Sequence, residues 1–268
     1  MTRRTRRPRR GPRAAARLTL LAGGIVMAGA ALTGCGRVDV DGAEPEHRAF
    51  ALGGRTLTVD NDDSRIELVP GKKGKKGKEV EVTRWFDGWS VGGSTRTSWE
   101  MDGDTLRLRQ ECGGISKHCE AKHRIEVPPG VTVIVKDENG GVTSKGIKGD
   151  LRFTSDNGDL DVRGADGRLT LTTENGDIRA VDAIDSRRVS ARSDNGNVTV
   201  RPRRAPDRVD GESVNGDVTV TVPGETTYRV DAKSVNGSVK VGVGRDDSAG
   251  RSVRARSDNG DVAVRAGG

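Results

Sequence analysis

The chain is poor in large side chains. Its 268 residues include only three tryptophans, three phenylalanines and one tyrosine. Hydrophobic residues make up 32%, matched by 32% charged residues, so a bulky helical core and a polytopic membrane protein are both excluded. The signatures GxxxxGKS/T and HExxH are absent, which leaves the P-loop nucleotidase and zincin classes without support. No helical hydrophobic period runs through the chain beyond residue 35. Cysteine is scarce, with three copies. Glycine is abundant instead, at 38 residues, a composition that fits either disorder or a thin repetitive β structure.

The net charge of +7 is a local effect. Eight arginines (Arg3, Arg4, Arg6, Arg7, Arg9, Arg10, Arg13 and Arg17) crowd the N-terminus with no acid before residue 35; removing them from the 46 basic residues leaves 38 against 39 acids. No general basic field remains for nucleic acid, which is not expected as a partner. Residues 18–34, LTLLAGGIVMAGAALTG, are apolar and small and end at Cys35. A basic stretch, a short apolar stretch and small residues describe a secretory signal. The junction Leu32-Thr33-Gly34-Cys35 resembles the lipobox of bacterial lipoproteins. That resemblance implies cleavage before Cys35 and diacylation of its sulfur, with two acyl chains holding the mature protein on the outer face of the cytoplasmic membrane. The rival reading is an uncleaved anchor helix. Residues 1–34 are thus expected to be the signal, 35–49 a polar tether and 50–268 one folded domain.

With Cys35 assigned to lipid, Cys112 and Cys119 remain, six residues between them. An exported chain meets an oxidising compartment, so a disulfide is expected, closing a hairpin between LRLRQE (106–111) and HRIEV (123–127). His118 and His123 lie close enough to raise a metal site, but no familiar ligand spacing is present. Both are expected to be surface residues, with no metal bound.

The rest of the chain repeats itself. Asn-Gly recurs at Asn139, Asn157, Asn175, Asn195, Asn215, Asn236 and Asn259, in steps of 18, 18, 20, 20, 21 and 23 residues. Aligned units such as RFTSDNGDLDV, SARSDNGNVTV and RARSDNGDVAV alternate apolar and polar residues with period two, which means strands. A weaker copy, LTVDNDDSRIELV, sits at 57–69. Asn-Gly also marks hairpins, so an antiparallel meander competes. A meander gives no reason to repeat Ser/Thr-x-Asn-Gly at one phase. A β-solenoid does, since equivalent residues of successive coils stack about 4.8 Å apart. The expected fold is therefore an all-β, right-handed solenoid of short coils. Counting by twos from Leu151 and Phe153 puts the hydroxyl residues and the asparagines together on the core face, as a buried ladder. Glycine after asparagine is expected to supply a positive φ. Residues 51–130, with Trp85, Phe86, Trp89 and Trp99, are expected to cap and plug the N-terminal end.

The period, the SxNGDVxV units and the strand IEVPPGVTV resemble the bacterial β-strand-repeat domain of adhesin type, a domain of otherwise unknown function. In its actinobacterial members a Cys-loop-Cys hairpin precedes the Val-Pro strand, as Cys112–Cys119 precedes Val127-Pro128 here. The resemblance covers about residues 50–268. It implies a cell-surface solenoid linked to adhesion or to envelope-stress systems, and carries over no catalytic residue.

Two further features bear on ligands. Acids flank the turns (Asp156, Glu174, Asp194 and Asp258 before asparagine; Asp159, Asp177, Asp217 and Asp261 after glycine). Stacked, they invite Ca2+ or the paired carboxylates of a polysaccharide-active β-helix enzyme. Val214, Val235 and Ser238 interrupt the rows, and no coil stands out as an active site, so turn chemistry is the preferred reading and no catalytic residue is assigned. The run GKKGKKGK places Lys72, Lys73, Lys75, Lys76 and Lys78 together, a candidate contact for anionic headgroups or cell-wall polymer. The expected function is non-enzymatic binding or display at the cell envelope. The alternative is an accessory or sensor protein bound to one envelope protein.

Overall fold

The computed structural model describes residues 40–72 and 78–267. The signal segment, Cys35 and Lys73, Lys75 and Lys76 lie outside the described residues. The chain forms strands throughout, after one short 3-10 helix, η1 (Val40–Gly42). The first group is β1 (Glu46–Ala51), β2 (Thr56–Asn61), β3 (Arg65–Pro70), β4 (Glu79–Val91), β5 (Thr95–Asp102), β6 (Thr105–Cys112) and β7 (Ser116–Val127). The regular coils follow as pairs: β8 (Thr132–Asp137) with β9 (Gly141–Lys145), β10 (Leu151–Asn157) with β11 (Leu160–Arg163), and β12 (Leu169–Asn175) with β13 (Ile178–Ile184). Then come β14 (Arg188–Asn195) with β15 (Val198–Pro202), and β16 (Arg208–Asn215) with β17 (Val218–Pro223). The last two are β18 (Arg229–Asn236) with β19 (Val239–Gly242), and β20 (Ser252–Asn259) with β21 (Val262–Gly267).

These strands build two sheets, of 11 and 10 strands, facing each other across one narrow core. The even-numbered first strand of each coil lies in one sheet and its partner after Asn-Gly in the other. Within each sheet, successive coils pair in parallel and in register: Leu151 with Leu169 and Val189, Phe153 with Leu171 and Ala191. The fold is the expected β-solenoid, and the meander is excluded. Alternation explains it directly. Every second position of β10, β12, β14 and β16 is buried, and the intervening ones are Arg, Thr, Ser, Asp and Glu, with Val214 the one apolar exception. Because the facing residues are mostly Val, Leu and Ala, the sheets approach closely; Gly211 is the extreme, since a Cβ there would lie 3.1 Å from Val218.

Coil order departs from chain order at one end. The final coil, β20–β21, inserts between β16–β17 and β18–β19. Asn259 therefore stacks on Asn215, and Asn236 on Asn259. The packing accounts for this choice: Val253, Ala255, Val262 and Val264 are fully enclosed in the inserted coil. The coil left outermost carries Val235 at 63% and Val239 at 43% exposure.

The N-terminal end is built differently. β7 still pairs in parallel with β3, but β4 and then β1 add antiparallel beyond it in the 11-stranded sheet, and β5 adds antiparallel to β6 in the 10-stranded one. Antiparallel edge strands end the stack of parallel coils and so act as its cap. β1 begins at Glu46 and Val40 is buried, so the folded domain takes in much of the polar segment expected to be tether. Cys112 and Cys119 are disulfide-bonded, with Cα atoms 6.5 Å apart. The bond does not close a hairpin, however. β6 belongs to one sheet and β7 to the other, so it ties the connection between sheets.

Candidate functional site

Three ladders run along the solenoid, and they account for most of the repeated polar residues. In the first, each asparagine amide donates to the carbonyl of the asparagine one coil back: Asn157 to Asn139 at 2.8 Å, then Asn175 to Asn157, Asn195 to Asn175 and Asn215 to Asn195, each at 2.9 Å. Asn139 itself donates to Asp63, in the weak early copy, at 2.9 Å. The stacking is as expected, but the position is not: the asparagines are exposed. No register partner is formed by the residue between hydroxyl and asparagine, because the chain bends there. A period-two count carried through that bend puts the amide on the wrong side.

The second ladder is the buried one. Thr173, Ser193, Ser213 and Ser257 each donate a hydroxyl proton to the glycine carbonyl of the preceding coil, at 2.8–3.1 Å. That glycine is demanded by close approach rather than by its φ. A Cβ on Gly176, Gly196 or Gly216 would lie 2.0–2.3 Å from the glycine carbonyl oxygen one coil back. The third ladder uses the acids after glycine. Asp177 N–H donates to the Asp159 carboxylate, Asn197 N–H to Asp177, and Asp261 N–H to Asp217, at 2.7–2.8 Å. These carboxylates are thus occupied with backbone, which is turn chemistry. Among the described residues no cluster of three or more His, Cys, Asp or Glu is arranged to hold a metal ion.

At the cap, the hydroxyl ladder ends in a buried relay. Ser155 donates to Asp137 at 2.9 Å, and Gly140 N–H donates to the same carboxylate at 3.0 Å. The Asn61 amide donates to Asp137 and to the Ser64 carbonyl, and the Ser64 hydroxyl donates to Asn61. Ser64 also meets His123 Nδ1 at 2.9 Å. His123 is only 2% exposed, against the expectation of a surface residue, and its Nε2 finds no partner. Burial, aided by the Arg84 cation, pushes its pKa down to about 3, so it is neutral. Burial holds the Asp137 carboxyl above its usual range in spite of its three donors. His118, by contrast, is exposed on β7 opposite Trp89. The His pair is split, and neither lines a metal site.

The aromatic group is split as well. Trp99 stands edge-on to Phe50, with centroids 6.3 Å apart, and Arg84 lies 4.4 Å over its ring. This part is the expected plug. Trp85 lies on the outside under Lys122 and Arg124. Trp89 is 42% exposed at the far end of β4, close to Val91 at 58% and Ile115 at 95%. Nothing in the residue pattern warns of that tip, since a lone isoleucine between Gly114 and Ser116 carries no periodic signal. Of the lysine run, Lys78 donates to the Gly54 carbonyl at 2.7 Å.

The family model of the Toastrack DUF4097 domain matches residues 103–265. Among solved structures, the chain is similar to a candidate adhesin from Bacteroides fragilis NCTC 9343, at 11% identity and a TM-score of 0.44, covering 83% of this chain and 96% of that one. It is also similar to a candidate cell adhesion protein from Clostridium sporogenes ATCC 15579, at 12% identity and 0.31, covering 84% and 100%. A third is a candidate lipid binding protein from Parabacteroides distasonis ATCC 8503, at 12% and 0.33, covering 83% and 97%. No curated protein matches the chain.

Proposed function

The chain belongs to the Toastrack DUF4097 family, and on that premise we propose that it is an exported, lipid-anchored, non-enzymatic protein that presents a rigid β-solenoid for binding at the cell envelope. One observation carries the reading. The sequence LTGC ends an apolar signal at Cys35, and Val40, five residues on, is already buried in the fold, so little chain separates the lipid from the domain. The disulfide fits an oxidising, extracytoplasmic setting. The ladders fit a display element, since they spend the repeated polar groups on holding coils together. A Cys35→Ser protein should leave the membrane fraction; retention there would mean that an anchor helix, not lipid, holds the chain.

The partner proposed first is anionic wall polymer, met by the lysine loop. Substituting Lys72, Lys73, Lys75, Lys76 and Lys78 by serine should abolish retention on isolated wall polymer. The second reading, a single envelope protein as partner, draws on the outermost coil, where Val235 and Val239 are exposed. Capture from membrane extract, undisturbed by the lysine substitutions, would favour it.

A further inference from the structure

Five large apolar side chains are exposed among the described residues, and three of them meet at one place. Trp89, Val91 and Ile115 sit where β4 ends and β7 begins, at the pairs Trp89–His118 and Val91–Ser116 and just past them. This tip is held, not loose. Ile115 N–H donates to Val91 O at 3.0 Å, Gly113 N–H to Ser94 O at 2.9 Å, and Lys117 Nζ to Cys112 O at 2.6 Å. The Cys112–Cys119 disulfide closes its base. A Cβ on Gly93 would lie 2.2 Å from Gly113 O, so the two glycine-rich turns are packed backbone to backbone. A pinned loop that holds an isoleucine at 95% exposure maintains that exposure at the expense of apolar hydration.

The path of the chain says what covers it. β1 runs antiparallel to β4 from Glu46 opposite Arg84 to Ala51 opposite Glu79, so the chain arrives from the tip side of the ribbon. Just before, Asp41 pairs with Lys122, opposite Trp85. From that row to the tip is six residues, or about 20 Å of strand. From Cys35 to Val40 is five residues, which spans at most about 18 Å. The lipid-bearing residue and the tip can thus reach one plane.

We propose that this tip is a membrane-contacting finger, which sets Trp89, Val91 and Ile115 into the lipid interface beside the acylated N-terminus. Tryptophan suits that boundary, since its ring is apolar and its N–H stays wet. Lys117 and Arg96 flank the tip and can meet headgroup phosphates. The finger gives the solenoid a fixed tilt, which a single flexible anchor does not. It also sets Lys78 away from the bilayer, since Lys78 precedes the opposite end of β4, about 40 Å from Val91. The proposal rests on the lipid-anchored reading but is read out separately.

The test uses the mature protein purified from membranes and placed in vesicles of phosphatidylglycerol and phosphatidylethanolamine brominated on the acyl chains. Tryptophan emission should fall by up to roughly one third, because one of the three tryptophans reaches the lipid. Trp89→Phe should remove the quenching, and Ile115→Asp, at a position too exposed to affect folding, should cut it by about half. Unquenched emission in the wild type, or equal quenching in Trp89→Phe, would overturn the finger. Fractionation of Cys35→Ser reads the anchor independently, and if that protein stays on membranes its Trp89 quenching can still be measured.

Discussion

The cap and the coils of this molecule solve the same problem by opposite means. From Leu169 onward, each coil repeats three modest hydrogen bonds, one from an asparagine amide, one from a hydroxyl and one from a backbone N–H to an Asp or Asn side chain. No single position is decisive, and stability accumulates coil by coil. Before Leu169 the interactions are individual rather than repeated: the buried His123, the Cys112–Cys119 disulfide, the Asp137–Asn61 contact and the Arg84 cation over Trp99. The buried row running through both regions shows the change of method. It reads Ser257, Ser213, Ser193, Thr173 and Ser155 in the coils, becomes Asp137 and Asn61 at the cap, and ends at Leu108 opposite Trp99. Repetition therefore distributes energy, while the end of the repeat concentrates it in groups whose ionisation matters.

The largest way to break that contrast is pH. His123 is held neutral in the fold by its depressed pKa, so its contribution is present above the ordinary histidine value and is lost as pH falls toward about 3. A shift of this size corresponds to roughly 4–5 kcal/mol over that window. Asp137, whose carboxyl is raised, works the other way within that window, gaining stability as pH falls toward the ordinary carboxylate value, and reduces the net loss. Urea unfolding midpoints should fall steadily between pH 6.5 and pH 3. His123→Leu should remove most of the fall, and an unchanged slope would show that the cap is not the acid-sensitive element. Next in size is the disulfide. In the chain-entropy model, a cross-link at a sequence separation of 7 contributes about 2.4 kcal/mol. Cys112→Ser with Cys119→Ser should lower stability by that amount, and limited proteolysis should first cut near the tip, leaving the coils intact.

The regular half was legible from sequence because its signals repeat. Valine and leucine at period two gave the strands, and the fixed phase of Ser/Thr-x-Asn-Gly gave parallel register. What escaped was whatever bends or happens once. The corner moves each asparagine out to solvent, and no alternation records a corner. The exchange of the last two coils is invisible because both carry the same motif, SxNG, and only their burial separates them. His123 lies in HRIEV with the polar spacing of a surface strand; its burial depends on Ser64 and Trp99, far away in the chain. The N-terminal capping role was readable from its aromatics. Their division into plug, outer face and tip was not.

A smaller effect tests the coils themselves. Gly196→Ala would bring a Cβ to 2.0 Å from Gly176 O, where only backbone can yield. The neighbouring coils would have to separate, at a cost of about 2 kcal/mol by analogy with overpacked cores. Calorimetry should show a lower Tm with the cap's acid dependence unchanged. An alanine tolerated without loss would mean that the corner opens freely, and close approach would not explain the repeated glycine.

The smallest expected effect decides whether the exposed amide row does more than accompany the turn. Asn195 donates to Asn175 and accepts from Asn215, both at 2.9 Å, in contact with water. Replacing it by alanine deletes two hydrogen bonds between groups that solvent can satisfy, so the loss should be about 1 kcal/mol. Asn195→Asp separates the two roles. Aspartate can still accept from Asn215 but cannot donate to Asn175, and it sets a second charge beside Asp194. It should therefore be no more stable than alanine, and the deficit should shrink in added salt as the repulsion is screened. If both variants match the wild type, the row is a by-product of register set by the buried hydroxyls. In that case the same pair of substitutions at Ser193, whose hydroxyl is enclosed and donates to Gly176 O at 2.9 Å, should carry the larger cost.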